Sequence, residues 1–193
     1  MVTLLLASKV DNASVNLYEA VVGLGGWKNK ENLPHGLLMR HSIQPVHLLL
    51  IDKLHIYADG IDLIHEKEIA ETVDEVLVLS RHAAKSGLPS LTVHAIGVPG
   101  EIPHGEKGFA GGIKGIAVPP SPRFSAIYSA LREESSKSEL ADEFEVSLET
   151  THHGPVLTKP TLYLEIGSTE SEWIRKDAAL LWAAVISRVL GLS

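Results

Sequence analysis

The stretch that decides the fold is Pro45-Val46-His47-Leu48-Leu49-Leu50-Ile51-Asp52, an almost unbroken apolar run of strand length. A strand with one wet face alternates apolar and polar residues; one covered on both faces reads as continuous Val, Ile and Leu. Glu75-Val76-Leu77-Val78-Leu79-Ser80 has the same character, and Leu91-Thr92-Val93-His94-Ala95-Ile96 reads as a further strand. Thr3 to Ala7 is a buried edge-to-core strand, and Phe144 to Glu149 and Thr161 to Ile166 add two more. Between them lie helical signals. Asp11-Asn12-Ala13-Ser14 is a cap-rich start for a helix through about Val22, and Pro122 to about Ser135 reads as another. Ser168-Thr169-Glu170-Ser171-Glu172 offers a capping box, Thr169 with Glu172, opening a helix that runs to about Leu190. Strands mixed with helices, without internal repeat, predict a three-layer α/β/α fold. Gly23 to Pro34 and Gly97 to Pro120 read as loops, Ile56 to Gly60 as a short strand ending in a turn, and Ser135 to Asp142 as polar and mobile.

Composition narrows the class. A chain of 193 residues, 45% hydrophobic and 21% charged, suits a single α/β domain spanning 1–193. The longest apolar run, Ala178 to Ile186, falls short of the roughly 18 residues a membrane span needs. The start, Met1 to Lys9, lacks a basic segment before its apolar residues, so no signal peptide is expected. With no cysteine there is no disulfide, thiolate metal site or cysteine nucleophile, and a cytoplasmic location is the default. The net charge of −7 argues against nucleic-acid binding through bulk positive charge. Local patches from Lys28 and Lys30, or from Lys107, Lys114 and Arg123, stay compatible with it.

The chemistry-bearing residues are histidines. Of the ten, His35, His41, His47, His55 and His65 stand singly among apolar or loop residues and read as structural. His82 follows one strand, His94 lies in the next, and His152-His153 follow a third. Open α/β sheets bind ligands beyond the carboxyl ends of their strands, so these groups can converge. Side chains alternate along a strand, which places Glu149, Thr151 and His153 on one face if the strand persists, with His152 pointing away. Thr161, Tyr163 and Glu165 likewise share a face, and Glu165 is then a carboxylate in an apolar strand. Such a carboxylate needs a partner, since burying a lone charge is costly. Histidines with carboxylates suit zinc, and equally suit a metal-free general base. The spacing matches no HExxH pattern, Ser80 lies in no GxSxG elbow, and the Gly97 to Gly112 loop matches neither phosphate-binding motif.

Several blocks occur in one order: Ser80-Arg81-His82, Ser86-Gly87, Leu91-Thr92-Val93-His94, Gly111-Gly112, Glu149-x-Thr151-His152-His153-Gly154-Pro155 and Glu165-Ile166-Gly167-Ser168-Thr169-Glu170-x-x-Trp173. Together with Ile56 to Asp62 they resemble the archaeal and plant-type D-aminoacyl-tRNA deacylase family over nearly the whole chain. The resemblance implies hydrolysis of the ester between a D-amino acid and the 3′ end of tRNA, with zinc as cofactor and a fold similar to the phosphorylase/peptidyl-tRNA hydrolase type. It implies His94, His152, His153 and Glu149 as metal ligands, and His82, His152, His153 and Glu165 as the catalytic set. Arg81, Lys107, Gly111 and Gly112 would meet the substrate. The expected partner is D-aminoacyl-tRNA, with no membrane, in a monomer or weak homodimer. Family members usually continue into a GGGHYAP-like block that Leu190-Gly191-Leu192-Ser193 does not reach, so a short or truncated member is expected. Two alternatives remain open from the residues: a non-catalytic tRNA-binding short form, and a phosphorylase- or nucleosidase-like enzyme on the same fold.

Overall fold

A computed structural model describes residues 2–100 and 110–192. In chain order its elements are β1 (Val2–Ser8), α1 (Asn12–Gly23), β2 (Glu31–Leu33), β3 (Gly36–Arg40), β4 (Val46–Ile51), a 3-10 turn (His55–Tyr57), α2 (Ile61–Ile69) and β5 (Val73–Arg81). There follow β6 (Ser90–His94), β7 (Gly97–Val98), β8 (Ile116–Ala117), α3 (Phe124–Ser136), β9 (Glu145–Leu148), β10 (Thr161–Gly167), α4 (Glu170–Trp173) and α5 (Lys176–Leu190).

The main sheet has the order β2-β3-β4-β1-β5-β10-β6-β9. Strands β4, β1, β5 and β10 are mutually parallel, whereas β6 is antiparallel to β10 and carries β9 parallel to itself. The apolar runs behave as their composition requires, because alternate residues enter two separate cores. Leu48 and Leu50 of β4, with Leu5 and Ala7 of β1, pack into the core beneath α1, α3 and α5. Leu49 and Ile51, with Leu4 and Leu6, enter a smaller core with Ala58 and Ile61 of the α2 region. The architecture is therefore a mixed sheet with helices over both faces, the heavier layer on one side.

Four local expectations are corrected. Ile56 and Tyr57 belong to a 3-10 turn rather than a strand, since Tyr57 N donates to Leu54 O and Ala58 N to His55 O. The segment read as loop from Gly23 to Pro34 contains β2, which pairs with β3. The segment read as polar and mobile from Ser135 to Asp142 starts in the last turn of α3 and continues from 137 as a series of turns, held by Ser138 and anchored by the buried side chain of Leu140. The last helix is split at Ile174–Arg175, where Asn16 Nδ2 donates to the carbonyls of Trp173 and Arg175. The Thr169–Glu172 capping box is present at the start of α4. No helix among the described residues is long and apolar enough to cross a membrane.

Candidate metal and hydrolytic site

Strand register builds the site. Glu165 lies opposite Ser80 on β5 and Thr92 on β6, and Tyr163 lies opposite His94. Side chains of like parity thus line one face: His82 after β5, Thr92 and His94 on β6, Tyr163 and Glu165 on β10. Because β6 and β9 run against β5 and β10, their carboxyl ends point the other way. The site therefore extends along the sheet face instead of gathering beyond one edge. His82 stands at one end, His94, His152 and His153 stand at the other, and Glu149 and Glu165 lie between them.

At the first end, His82 Nδ1 is 3.0 Å from Glu149 Oε1 and 3.6 Å from Glu165 Oε2. The hydrogen bond to Glu149 and then that to Glu165 raise the His82 pKa to about 10, against the opposing effect of burial, so this imidazole is a cation at neutral pH. Thr92 Oγ1 donates to Glu165 Oε2 at 3.2 Å, and Trp182 Nε1 donates to the Glu165 backbone carbonyl. Burial pushes the Glu165 carboxyl up, but His94, His82 and His153 outweigh it and hold the group well below its usual range. Glu165 is thus a buried anion with the partners that such a charge requires.

At the other end the rings of His94 and His152 stack with centroids 4.3 Å apart, while His153 meets them edge-on at 4.9 Å and 4.4 Å. One nitrogen of each lies within 4.8 Å of the others, a spacing at which one cation can be held; His82, Glu149 and Glu165 form a second such group. The Nδ1 atoms of His94, His152 and His153 lie 2.9, 2.7 and 2.6 Å from the backbone carbonyls of Ala95, Thr150 and Gly154. A carbonyl only accepts, so each Nδ1 carries a proton, and a ring in its neutral form has its lone pair on Nε2. Metal-binding histidines are oriented by this kind of outer contact. His94 Nε2 is buried and has no hydrogen-bond partner among the described residues. These observations fit a divalent cation.

Protonation differs among the three rings. Burial lowers His153 to about 3, and burial followed by the charge of His94 lowers His152. For His94 burial also acts downward, but the Glu165 carboxylate, 3.6 Å away, prevails and raises its pKa. Tyr163 forms the floor, stacked on His94 and edge-on to His153, and its burial raises the phenol well above its ordinary value.

Sequence parity placed His152 and His153 on opposite faces, and the structure corrects this. β9 stops at Leu148, and His153 takes a left-handed φ of 46° that turns both rings toward His94. Glu149 remains between the clusters, with Oε2 3.8 Å from His152 Nε2. Arg81 is partly exposed at the end of β5, its guanidinium 5.0 Å from the Trp173 ring centroid. Gly111 and Gly112 pack against the backbone of the His153–Gly154 turn: a Cβ on Gly111 would meet Ile56 O at 2.2 Å, and one on Gly112 would lie 3.3 Å from Gly154 N. Lys107, expected at the substrate, lies outside the described residues. Sequence reading missed Asp11 and His55, which reach the site from behind. Asp11 was visible only as a helix cap and His55 only as a solitary histidine.

Comparison with known proteins identifies the family of the chain. The family model for D-aminoacyl-tRNA deacylase matches residues 69–193. The chain belongs to the D-aminoacyl-tRNA deacylase family. An Arabidopsis thaliana D-aminoacyl-tRNA deacylase is 41% identical over 192 residues, covering 100% of this chain and 60% of the relative. One from Methanosarcina mazei is 34% identical and covers 96% and 61%. The chain thus spans about three fifths of the length of these deacylases. A crystal structure of a conserved protein of unknown function superposes with a TM-score of 0.83 at 30% identity, covering 98% of this chain and 63% of that one. A Helicobacter pylori methylthioadenosine nucleosidase superposes at 0.55 with 10% identity, covering 98% and 97%, which shows a shared fold alone.

Proposed function

We propose that the chain hydrolyses the ester linking a D-amino acid to the 3′ end of tRNA, releasing the free amino acid and tRNA. The observation that carries this reading is the His94–His152–His153 group, poised by backbone carbonyls, in a chain of the deacylase family. These three residues, with Glu149 alongside, would hold zinc. When bound there, the ion supplies Lewis-acid polarisation and lowers the pKa of water.

The other roles fall to the chain's own groups. In the reaction a water oxygen bonds to the acyl carbon, the bond from that carbon to the ribose oxygen breaks, and the leaving oxygen takes up a proton. Glu149, its side chain 18% exposed and its Oε1 3.0 Å from His82 Nδ1, is placed to accept the proton of the attacking water. The His82 cation stands where negative charge develops and can donate to the departing oxygen, while Glu165 holds His82 and His94 in place. Arg81, at the mouth beside Trp173, would meet the terminal phosphate. The setting is the cytoplasm, where charged tRNA is used, and the acting form a monomer or weak homodimer.

The test is hydrolysis of D- and L-aminoacyl-tRNA by the purified chain, with and without chelator. D-ester turnover should fall at least about 100-fold on chelation or in His153→Ala, in line with losing a metal centre or its ligand. Full D-ester activity after complete metal removal would eliminate the metal-assisted form, and absence of D-ester turnover in the metal-loaded protein would eliminate the function.

A further inference from the structure

Behind the imidazole triad lies a buried polar chain that the hydrolytic roles do not use. Asp11, His55 and Tyr163 are at most 2% exposed. They come from three places: the cap of α1, the turn after β4 and the middle of β10. Asp11 Oδ2 is 3.2 Å from His55 Nε2, and His55 Nδ1 is 3.3 Å from the Tyr163 hydroxyl. That hydroxyl is also 3.3 Å from Gly154 O, the carbonyl that receives His153 Nδ1 at 2.6 Å. The Tyr163 ring in turn touches His94 and His153 with centroids 5.1 and 4.9 Å away.

The order of donors follows from chemistry. The Asp11 carboxylate accepts from Ser14 N through Oδ1 and from Arg81 N through Oδ2, and it has no proton to give. His55 therefore carries its proton on Nε2, and Nδ1 is left as an acceptor. The single Tyr163 proton then goes to His55, which leaves the Gly154 carbonyl to His153. A fixed hydroxyl fixes the phenol ring, and that ring is the surface on which His94 and His153 are seated. Resting on the site reading given above, we propose that Asp11, His55 and Tyr163 form a positioning chain that sets the orientation of the His94 and His153 imidazoles.

Asp11→Asn separates this role from a structural one. Asparagine caps helices as well as aspartate, so the bond from Ser14 N survives. Its amide nitrogen, however, presents a donor to His55 Nε2 and forfeits the bond from Arg81 N, which Tyr163→Phe leaves intact. His55 should move its proton to Nδ1, and Tyr163 should turn to the Gly154 carbonyl in competition with His153. Nitrogen-15 spectra of histidine-labelled protein should show the His55 tautomer reversed and the His94 and His153 ring signals displaced. Zinc affinity, read by competition with a chromophoric chelator, should fall about 10-fold, and kcat for D-aminoacyl-tRNA should fall about 10- to 100-fold with KM within about twofold. Tyr163→Phe should lower kcat and zinc affinity similarly while leaving the α1 cap untouched, and it carries the test if Asp11→Asn does not fold. Unmoved His94 and His153 signals in both variants would overturn the proposal, as would kcat and zinc affinity within twofold of wild type. A wild-type protein without deacylase activity would instead remove the functional reading, leaving the spectra and zinc affinity to decide the chain.

Discussion

Gly154 shows how closely one residue can be bound to the chemistry. A Cβ built on it would lie 2.5 Å from Gly112 N, 2.7 Å from Ile56 O and 2.9 Å from Gly111 C, all backbone atoms without a rotamer to escape into. Its nitrogen donates to Ala110 O, and its carbonyl receives the His153 Nδ1 proton. Overpacking of this kind costs about 1–3 kcal/mol. Gly154→Ala should therefore lower stability by about 2 kcal/mol in urea unfolding, and D-ester turnover should fall further than stability explains because the His153 carbonyl is displaced. Gly23→Ala, where nothing lies within 4 Å of the added carbon, is the control. It should leave activity unchanged and raise stability by up to about 1 kcal/mol. Equal effects from both substitutions would show that the backbone contact between the two turns is dispensable.

At the scale of elements, strand β4, helix α2 and the β2–β3 turn are joined by a row of imidazoles. His47 Nδ1 is 3.0 Å from His65 Nε2, His65 Nδ1 is 2.9 Å from His35 Nε2, and Arg40 Nη1 is 3.2 Å from His47 Nε2. Arginine can only donate, so the donors run from Arg40 through His47 and His65 to His35, and each ring is neutral. Burial lowers His47 to about 4 and His65 to about 3. The unfolded chain takes up protons near pH 6.5, well above these folded values. Their contribution is therefore present above about pH 6.5 and is lost as pH falls toward 4. His65→Gln should shrink the loss of stability between pH 7 and pH 5 by about 2 kcal/mol, read from urea midpoints. An unchanged loss would mean that the row does not titrate with folding. Sequence alone could not have shown this row, because residues 35, 47 and 65 become neighbours only when the hairpin, strand and helix pack together. The central strands were legible because two-sided burial writes itself as unbroken Leu, Ile and Val. The β2–β3 hairpin was not, because Glu31-Asn32-Leu33 is short and mostly polar. Thr161, Tyr163 and Glu165 could be read as one face from strand alternation, whereas their register against His94 and the turn at His153 depend on contacts made in the fold, those from Ala110, Gly111 and Gly112 among them.

For the whole molecule, the tension is between a net charge of −7 and the polyanionic substrate proposed above. Proteins that hold nucleic acid through 6–10 phosphate contacts lose roughly 10³–10⁵ in affinity between 50 and 200 mM salt. A site that engages only the end of the strand makes few such contacts, and each adds about 0.7 to the slope of log affinity against log salt on single strands. At its mouth this site offers the Arg81 guanidinium beside Trp173, with His82 already engaged by two carboxylates. Between 50 and 200 mM KCl, KM for D-aminoacyl-tRNA should therefore rise less than about 10-fold, with kcat nearly constant. Arg81→Ala should raise KM at low salt and take about 0.7 from the slope. A slope that stays the same would move the phosphate contact elsewhere. A slope as steep as that of a 6–10-phosphate binder would mean that the chain grips the body of the tRNA, despite its overall negative charge.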